Sequence, residues 1–260
     1  MAAPSPRPTV SANYIVLNEE EFLPYSIRSI YNVVDEIVVV DNGSTDRTLE
    51  VARSFAKVRI YHSDARDFSA LRNLALSHCR GDWVMVMCAD EVFYRDVEEV
   101  VPRLVRDPEV DAYTCRYYHL MRSYYYMQNC CDHDERYRRI FLFRRRPGVR
   151  YERPVHQVLV GIGPHVRDSG LYYVHYGYTK DPVLILERWK LYAELEGNPG
   201  IYDQLDPQHI LDDRPLHPFR RPHPEVIRDY IEKKAAERAA RGEKLFRKPP
   251  PDPEGDGSCM

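Results

Sequence analysis

The sequence predicts an α/β protein with a mostly parallel central sheet, helices on both faces of that sheet, and a helical extension at the C-terminal end. Three observations favour this class. In the first third of the chain, short apolar runs alternate with segments of helical periodicity. The runs hold almost no polar residue, which is typical of parallel strands buried on both faces. Finally, two of the runs are each followed by an aspartate, which is Asp41 after one run and Asp90 after the other.

The first strands and helices can be assigned in chain order. A β-rich run at residues 13–17 is the first strand, and Pro24 suits the opening turn of the helix after it. Residues 36–40 form the second strand. Asp46 can then cap a second helix, and residues 57–61 form the third strand.

A third helix at residues 69–79 leads to a fourth strand at residues 83–87, and a helix with apolar positions from Val97 to Val105 follows. This alternation implies a parallel sheet with helices on both faces. Ligands of such sheets bind outside the carboxyl ends of the strands. Asp41 and Asp90 both stand at such ends, so they mark the candidate site.

The second half of the chain is less regular. Strands are expected at residues 138–143 and 171–176, and helices at residues 182–196 and 225–244. These elements indicate three parts: a catalytic α/β domain at residues 9–197, a Pro- and His-rich connector with a C-terminal helix packing on that domain at residues 198–248, and a disordered tail at residues 249–260.

Composition excludes several classes of protein. The 37 Lys and Arg against 40 Asp and Glu leave no basic field of the kind that nucleic-acid binding needs. No segment reaches the roughly 18 apolar residues of a membrane span, and the Pro-rich first residues do not resemble a signal peptide. The six cysteines show no C-x-x-C spacing, which argues against zinc and disulfides. We therefore expect a cytoplasmic protein; a homodimer is left open.

The acidic pair Asp90 and Glu91 follows the fourth strand. Carboxylates at such a position can hold a divalent cation, which neutralises the phosphates of a nucleotide diphosphate. The alternative is that they only cap the following helix.

Five motifs occur in an order that resembles the family 2 glycosyltransferases. They are Asn18-Glu-Glu20, Val39-Val-Asp-Asn-Gly-Ser-Thr-Asp46, Ala70-Leu-Arg-Asn73, Gly81-Asp-Trp83 and Ala89-Asp-Glu91. The likeness is strong over residues 9–105 and looser at residues 138–141, 155–157 and 175–177. It implies a GT-A, Rossmann-like fold and an activity similar to that of bacterial sugar transferases of lipopolysaccharide and secondary-metabolite type.

The resemblance also implies the roles of particular residues. Asp41 would accept a hydrogen bond from the nucleotide base, with Asn18 and Glu19 lining the same pocket. Arg72 would approach the nucleotide or its diphosphate, and Asp90 would bind ribose and a Mn²⁺ or Mg²⁺ ion. The alternatives are a turn-forming Asp41 before Asn42-Gly43 and a solvated Arg72 on a helix face.

The chain departs from the family pattern at the metal site. Cys88 stands where relatives often carry the first acid of their D-x-D motif. Metal binding would then depend on Asp90, with Glu91 as an option, and on a later histidine, either His175 or His156. We expect Asp90 and His175 to be the ligands.

A second departure concerns the catalytic base. Relatives often show His-Glu where this chain has His156-Gln157, and glutamine cannot take the proton of an acceptor hydroxyl. Asp132, Asp134 and Glu135 are the nearby carboxylates. We expect Asp134 to be the base, with His156 beside it in the catalytic site.

Three functions agree with these motifs. The first is metal-assisted, inverting transfer of a sugar from a nucleotide-diphosphate donor to a saccharide, lipid-linked or small-molecule acceptor. The second is a pseudoenzyme that binds a nucleotide sugar without turnover, which Cys88 and Gln157 favour. Nucleotidyl transfer ranks lowest, because no Gly- and Lys-rich phosphate loop follows the first strand.

Overall fold

A computed structural model describes residues 7–129 and 134–249. In these residues six helices occur: α1 Leu23–Ile30, α2 Thr48–Arg53, α3 Phe68–His78, α4 Val97–Leu104, α5 Pro182–Leu195 and α6 Glu225–Ala240. The strands are β1 Val10–Val16, β2 Glu36–Asp41, β3 Val58–His62, β4 Trp83–Cys88, β5 Glu91–Phe93, β6 Ala112–Met121, β7 Tyr126–Met127, β8 Arg138–Arg144, β9 Arg150–Glu152, β10 Val158–Val160, β11 Val166–Tyr178 and β12 His217–Pro218.

The central sheet has a parallel half and a mixed half. Strands β3, β2, β1 and β4 lie side by side and all run parallel. Strand β8 then pairs antiparallel with both β4 and β6, while β11 runs parallel to β6. The predicted α/β class, with its parallel first four strands, is confirmed.

The two faces of β2 show why helices cover the sheet on both sides. Ile37 and Val39 point into the cluster that contains the apolar residues of α1 and α4. Val38 and Val40 point the other way, into the cluster that contains Leu71 of α3. Because side chains alternate along a strand, an uninterrupted apolar run fills both layers of the core.

Several boundaries differ from the prediction. Helix α2 ends at Arg53, before the expected apolar positions Phe55 and Ala56, although the Asp46 carboxylate does accept the amide of Thr48 at 2.9 Å. Helix α6 ends at Ala240, where Gly242 adopts a φ of 92°. Glycine enters this left-handed region at little cost, so it ends the helix.

The C-terminal helix packs on the α/β core. Ile227, Ile231 and Ala235 of α6 are buried in a cluster with Phe22 and Tyr176. The domain limits at residues 197 and 248 stay a prediction, and the predicted tail lies outside the described residues except for Pro249. Of the helices in residues 7–129 and 134–249, none combines the length and apolar composition that crossing a bilayer requires.

Candidate functional site

Five polar side chains meet beyond the carboxyl ends of β1 and β4. Glu19 lies in the loop after β1 and Asp90 in the turn after β4, and the last residues of β11 pass beside them. The backbone amide of Tyr176 donates to the carbonyl of Asp90 at 2.8 Å, which fixes this approach. His175 and Lys180 flank that contact, and Arg188 reaches the same point from α5.

Two acids and two cations form the centre of the cluster. The Nζ of Lys180 lies 2.6 Å from both carboxylate oxygens of Glu19 and 3.4 Å from Oδ2 of Asp90. The guanidinium of Arg188 lies 3.6 Å from Glu19 and 3.8 Å from Asp90. Of these four side chains, Glu19, Asp90 and Lys180 are almost completely buried, whereas Arg188 is partly exposed. Buried charges are tolerated when they are paired in this way.

Burial and neighbouring charge act differently on the two acids. Burial opposes ionisation of Asp90, but Lys180, His175 and Arg188 together hold the pKa of this carboxyl well below its usual value. Burial raises the pKa of Glu19, and the charge of Lys180 opposes this only in part. Asp90 is therefore the more readily ionised of the two carboxyls.

A pair of histidines supports Asp90. Nε2 of His175 lies 3.5 Å from Oδ1 of Asp90, and its Nδ1 lies 2.9 Å from Nδ1 of His119. Burial, together with His175, lowers the pKa of His119 well below the usual value, so His119 is neutral. In one tautomer of His175, Nδ1 carries the proton and donates a hydrogen bond to Nδ1 of His119. Nε2 of His175 then has no proton and can bind a metal ion.

Gly177 leaves room for this arrangement. A Cβ atom at residue 177 would lie 2.7 Å from both Oδ2 of Asp90 and Nε2 of His175, which is closer than such atoms approach. Only glycine lets β11 pass so near the two side chains.

Asp90 and His175 fit a divalent cation with two protein ligands. Across residues 7–129 and 134–249, no group of three or more His, Cys, Asp or Glu residues is arranged to hold a metal ion. Further ligands would have to come from the diphosphate and water. Burial raises the pKa of the Cys88 thiol to about 11, so this side chain is a neutral thiol where no metal is bound.

Asp41 and Asn18 connect the loops beside this cluster. The buried carboxylate of Asp41 accepts the amides of Gly43 at 3.1 Å and Ser44 at 3.2 Å, so it does form the turn that was the alternative to base binding. Asn18 has a φ of 53°, and its Oδ1 accepts the amide of Thr45 at 2.8 Å. Base recognition by either residue stays a prediction.

Arg72 lies beneath the cluster. Its Nη1 donates to the carbonyls of Asn13 at 2.7 Å and Met87 at 2.8 Å, and its Nη2 lies 3.0 Å from the Cys88 sulfur. The alternative of a solvated helix face is wrong, because Arg72 is only 4% exposed. These bonds tie the middle of β1 to the end of β4. Contact with a diphosphate stays a prediction.

Asp134 begins the short turn that leads through residues 135–137 into β8. Its carboxylate accepts from Nε of Arg136 at 2.9 Å and from Nη2 at 2.7 Å, and this hydrogen bonding lowers the pKa of Asp134. The adjoining turn reaches the site through Tyr137, whose ring lies 5.8 Å from that of His119. Asp132 lies outside the described residues.

His156 lies beside the C-terminal end of α5. The exposed ring has its Nε2 3.8 Å from Glu196 and its centroid 6.0 Å from that of Tyr192 on α5. Of the two histidines proposed as the metal ligand, the structure brings only His175 to Asp90.

Sequence reasoning missed Lys180, Arg188 and His119. Lys180 stands just after β11 as Asp90 stands after β4, so the strand-end rule could have found it. Nothing in the sequence shows which face of α5 turns toward the sheet. The register of β6 and β11 places His119 opposite His175, and that pairing is not visible in one sequence.

Comparison with known proteins shows the family of the chain. Residues 14–159, more than half of the chain, match the family described as Glycosyl transferase family 2. A TPR repeat-containing protein of Synechococcus elongatus is 35% identical over 151 residues, which are 58% of this chain and 35% of that protein. The lipopolysaccharide core biosynthesis glycosyltransferase LpsC of Rhizobium meliloti is 33% identical over 104 residues, 38% of each chain.

Structural similarity extends further along the chain. S. aureus TarS 1-349 in complex with UDP-GlcNAc superposes with a TM-score of 0.50 at 14% identity, over 77% of this chain and 69% of that one. The fold is therefore that of a GT-A type glycosyltransferase. The chain belongs to glycosyl transferase family 2. It spans about a third of the length of curated relatives that it matches.

Proposed function

We propose that this chain transfers a sugar from a nucleotide-diphosphate donor to an acceptor hydroxyl. The single observation that carries the proposal is the cluster around Asp90 at the carboxyl edge of the sheet, where an ionised carboxylate, a histidine and two cations converge. The family of the chain and the UDP-GlcNAc complex of TarS support the choice of donor.

Asp90 and His175 would hold Mn²⁺ or Mg²⁺, which would offset the charge of the leaving diphosphate. An imidazole nitrogen in the ligand set favours Mn²⁺ of the two. His119 orients the His175 ring, and Gly177 keeps the space beside both ligands free.

Lys180 and Arg188 are the cations that face the diphosphate in this proposal. Both lie within 4 Å of Glu19 and Asp90, and an anionic donor would compete for them. The planar guanidinium of Arg188 suits two phosphate oxygens, whereas Lys180 supplies a compact charge. The burial of Lys180 strengthens its contact with the diphosphate, because less water screens it.

The transfer itself is proposed to proceed with inversion. The acceptor oxygen forms a bond to the anomeric carbon while the bond from that carbon to the diphosphate breaks, and the nucleoside diphosphate leaves with the electron pair. Asp134 takes the acceptor proton in this scheme; its low pKa makes it a weak base, so the transfer of the proton comes late. The stereochemistry of the product, read by NMR, tests the inversion.

Binding without turnover is the second candidate. The pairing of Asp134 with Arg136 favours it, because a carboxylate held by a guanidinium is poorly placed to accept a proton. The nucleoside pocket of Asp41, Asn18 and Glu19 would be common to both functions. A cytoplasmic location and a homodimer stay predictions.

Release of free nucleotide separates these functions. Wild-type chain is incubated with UDP-GlcNAc, UDP-glucose or GDP-mannose and Mn²⁺, beside Asp90→Asn and the control Asp64→Asn, an exposed acid after β3. We expect release with at least one donor, its loss in Asp90→Asn and its retention in Asp64→Asn. Donor binding without release in the wild type would favour the pseudoenzyme.

A further inference from the structure

A cavity opens beside the Asp90 cluster. Its volume is about 390 Å³, within the range of roughly 300–1,000 Å³ that is usual for small-molecule sites. One wall is formed by Tyr178 and Lys180 at the end of β11, another by residues 207–211, and a third by residues 242–246 after α6.

This cavity shares Lys180 with the proposed donor site. Lys180 lines the cavity while its Nζ contacts Asp90 and Glu19. The ring of Tyr178 lies 4.9 Å from that of His119 and 6.1 Å from that of His175. A molecule in the cavity would therefore lie one side chain away from the reacting centre.

The lining is basic. Among the described residues that line it, Arg122, Lys180, Arg238 and Lys244 are cations and Glu243 is the acid. Arg238 pairs with Glu243 at 2.7 Å, and Arg122 pairs with Asp212 at 2.7 Å. Lys244 is exposed in the cavity lining, and within residues 7–129 and 134–249 its ammonium makes no ion pair.

Arg122 is also held in a costly backbone conformation. Its φ of 62° lies in the left-handed region, which is unfavourable for a residue other than glycine. Its backbone amide donates to the carbonyl of Tyr178 at 2.9 Å, at the inner wall of the cavity. Such strain concentrates where a side chain must be aimed at a ligand.

The cavity is built by the part of the chain that the family match does not reach. The match ends at residue 159, and every described lining residue except Arg122 comes after it. The matched part holds Glu19, Asp41 and Asp90, the proposed donor residues. The later part therefore has the position expected of a site that sets which acceptor is used.

We propose that this cavity is the acceptor subsite and that the acceptor carries an anionic group, a phosphate or a carboxylate. Lys244, Arg122 and Arg238 bind the anion, and a hydroxyl of the same molecule lies toward Lys180 and the donor. The apolar side chains of Ile210 and Phe246 cover the body of the molecule. This inference rests on the proposed glycosyltransferase function.

The test measures binding to the full chain without any donor. Glucose 6-phosphate, glucuronate and glucose are titrated by calorimetry into wild type, Lys244→Gln and Lys244→Glu. The matched control is Lys233→Glu, which changes an exposed lysine on α6 outside the cavity. Melting curves verify that each variant folds. If Lys244→Glu does not fold, the test uses Lys244→Gln alone.

We expect at least one anionic sugar to bind more tightly than glucose, and the tighter of the two identifies phosphate or carboxylate. Lys244→Gln should weaken that binding by at least about tenfold, the effect of losing one hydrogen bond between charged groups. Equal binding of the three sugars, or equal effects of Lys244→Glu and Lys233→Glu, would overturn the anion site.

Donor binding, measured separately with UDP-GlcNAc, UDP-glucose and GDP-mannose, distinguishes failure of this inference from failure of the proposed function. If a donor binds in an Asp90-dependent way and no anionic sugar does, the acceptor subsite is refuted alone. If an anionic sugar binds through Lys244 and no donor binds, the acceptor role falls together with the proposed function.

Discussion

Replacing Gly177 by alanine perturbs the candidate site without removing any of its functional groups. The new Cβ would lie 2.7 Å from Oδ2 of Asp90 and from Nε2 of His175, whereas ordinary contact begins at 3.4 Å. Each side chain must therefore move by about 0.7 Å. Because displacements on the order of 1 Å in a catalytic site cost about a hundredfold in rate, we expect a loss of nucleotide release of that size.

Gly170 offers a control in the same strand. It has a φ of 75°, and a Cβ atom at this position would have no neighbour within 4 Å, so alanine there strains the backbone but leaves the Asp90 cluster untouched. The strain of about 1–2 kcal/mol should lower the melting temperature of Gly170→Ala. Gly177 carries no left-handed φ, so Gly177→Ala loses stability only through the displaced side chains of Asp90 and His175 and not through backbone strain.

The assay compares turnover with stability for both variants. Nucleotide release and melting temperature are measured side by side, with donor and Mn²⁺ at saturating concentration. We expect Gly177→Ala to lose activity and Gly170→Ala to lose stability. If Gly177→Ala keeps wild-type turnover, or if both variants lose turnover in proportion to stability, the close approach of β11 has no part in the site.

Two further predictions concern charge. Lys180→Met should destabilise the fold by about 3–5 kcal/mol, because it removes a positive charge that compensates the buried Glu19 and Asp90. The loss of stability relative to wild type should shrink at lower pH, as these acids become protonated. An unchanged midpoint of urea unfolding would contradict this prediction. Asp67→Ala removes the N-cap that accepts the Ser69 amide at 2.7 Å, and should cost about 1 kcal/mol at neutral pH. Bonding to Ser69 lowers the pKa of Asp67, so this contribution is complete above the unfolded pKa of about 3.9 and is lost as pH falls through the lower folded value. Asp64→Ala, at an exposed acid nearby, should leave stability unchanged at every pH.

The parallel half of the fold could be predicted because local sequence determines it. The run from Ile37 to Val40 has apolar side chains at every position, and both faces of β2 are in fact covered. The same logic placed Asp41 and Asp90 at strand ends, since the carboxyl edge of a parallel sheet follows from the order of its strands.

The remaining part of the site depends on contacts between distant residues. Lys180 meets Glu19 across 161 positions of sequence, and only the fold shows that α5 lies beside β11. The burial of Arg72 depends on the carbonyls of Asn13 and Met87, which a helical pattern does not display. Long-range pairings of this kind leave no local periodicity to read.

A crystal structure of the chain with UDP-GlcNAc and Mn²⁺ would decide whether Asp90 anchors the metal and the donor. We predict one ion bound to the Asp90 carboxylate and to Nε2 of His175, with the diphosphate between that ion and Lys180 or Arg188. A nucleotide sugar bound away from Asp90, or an ion held without either ligand, would refute this assignment.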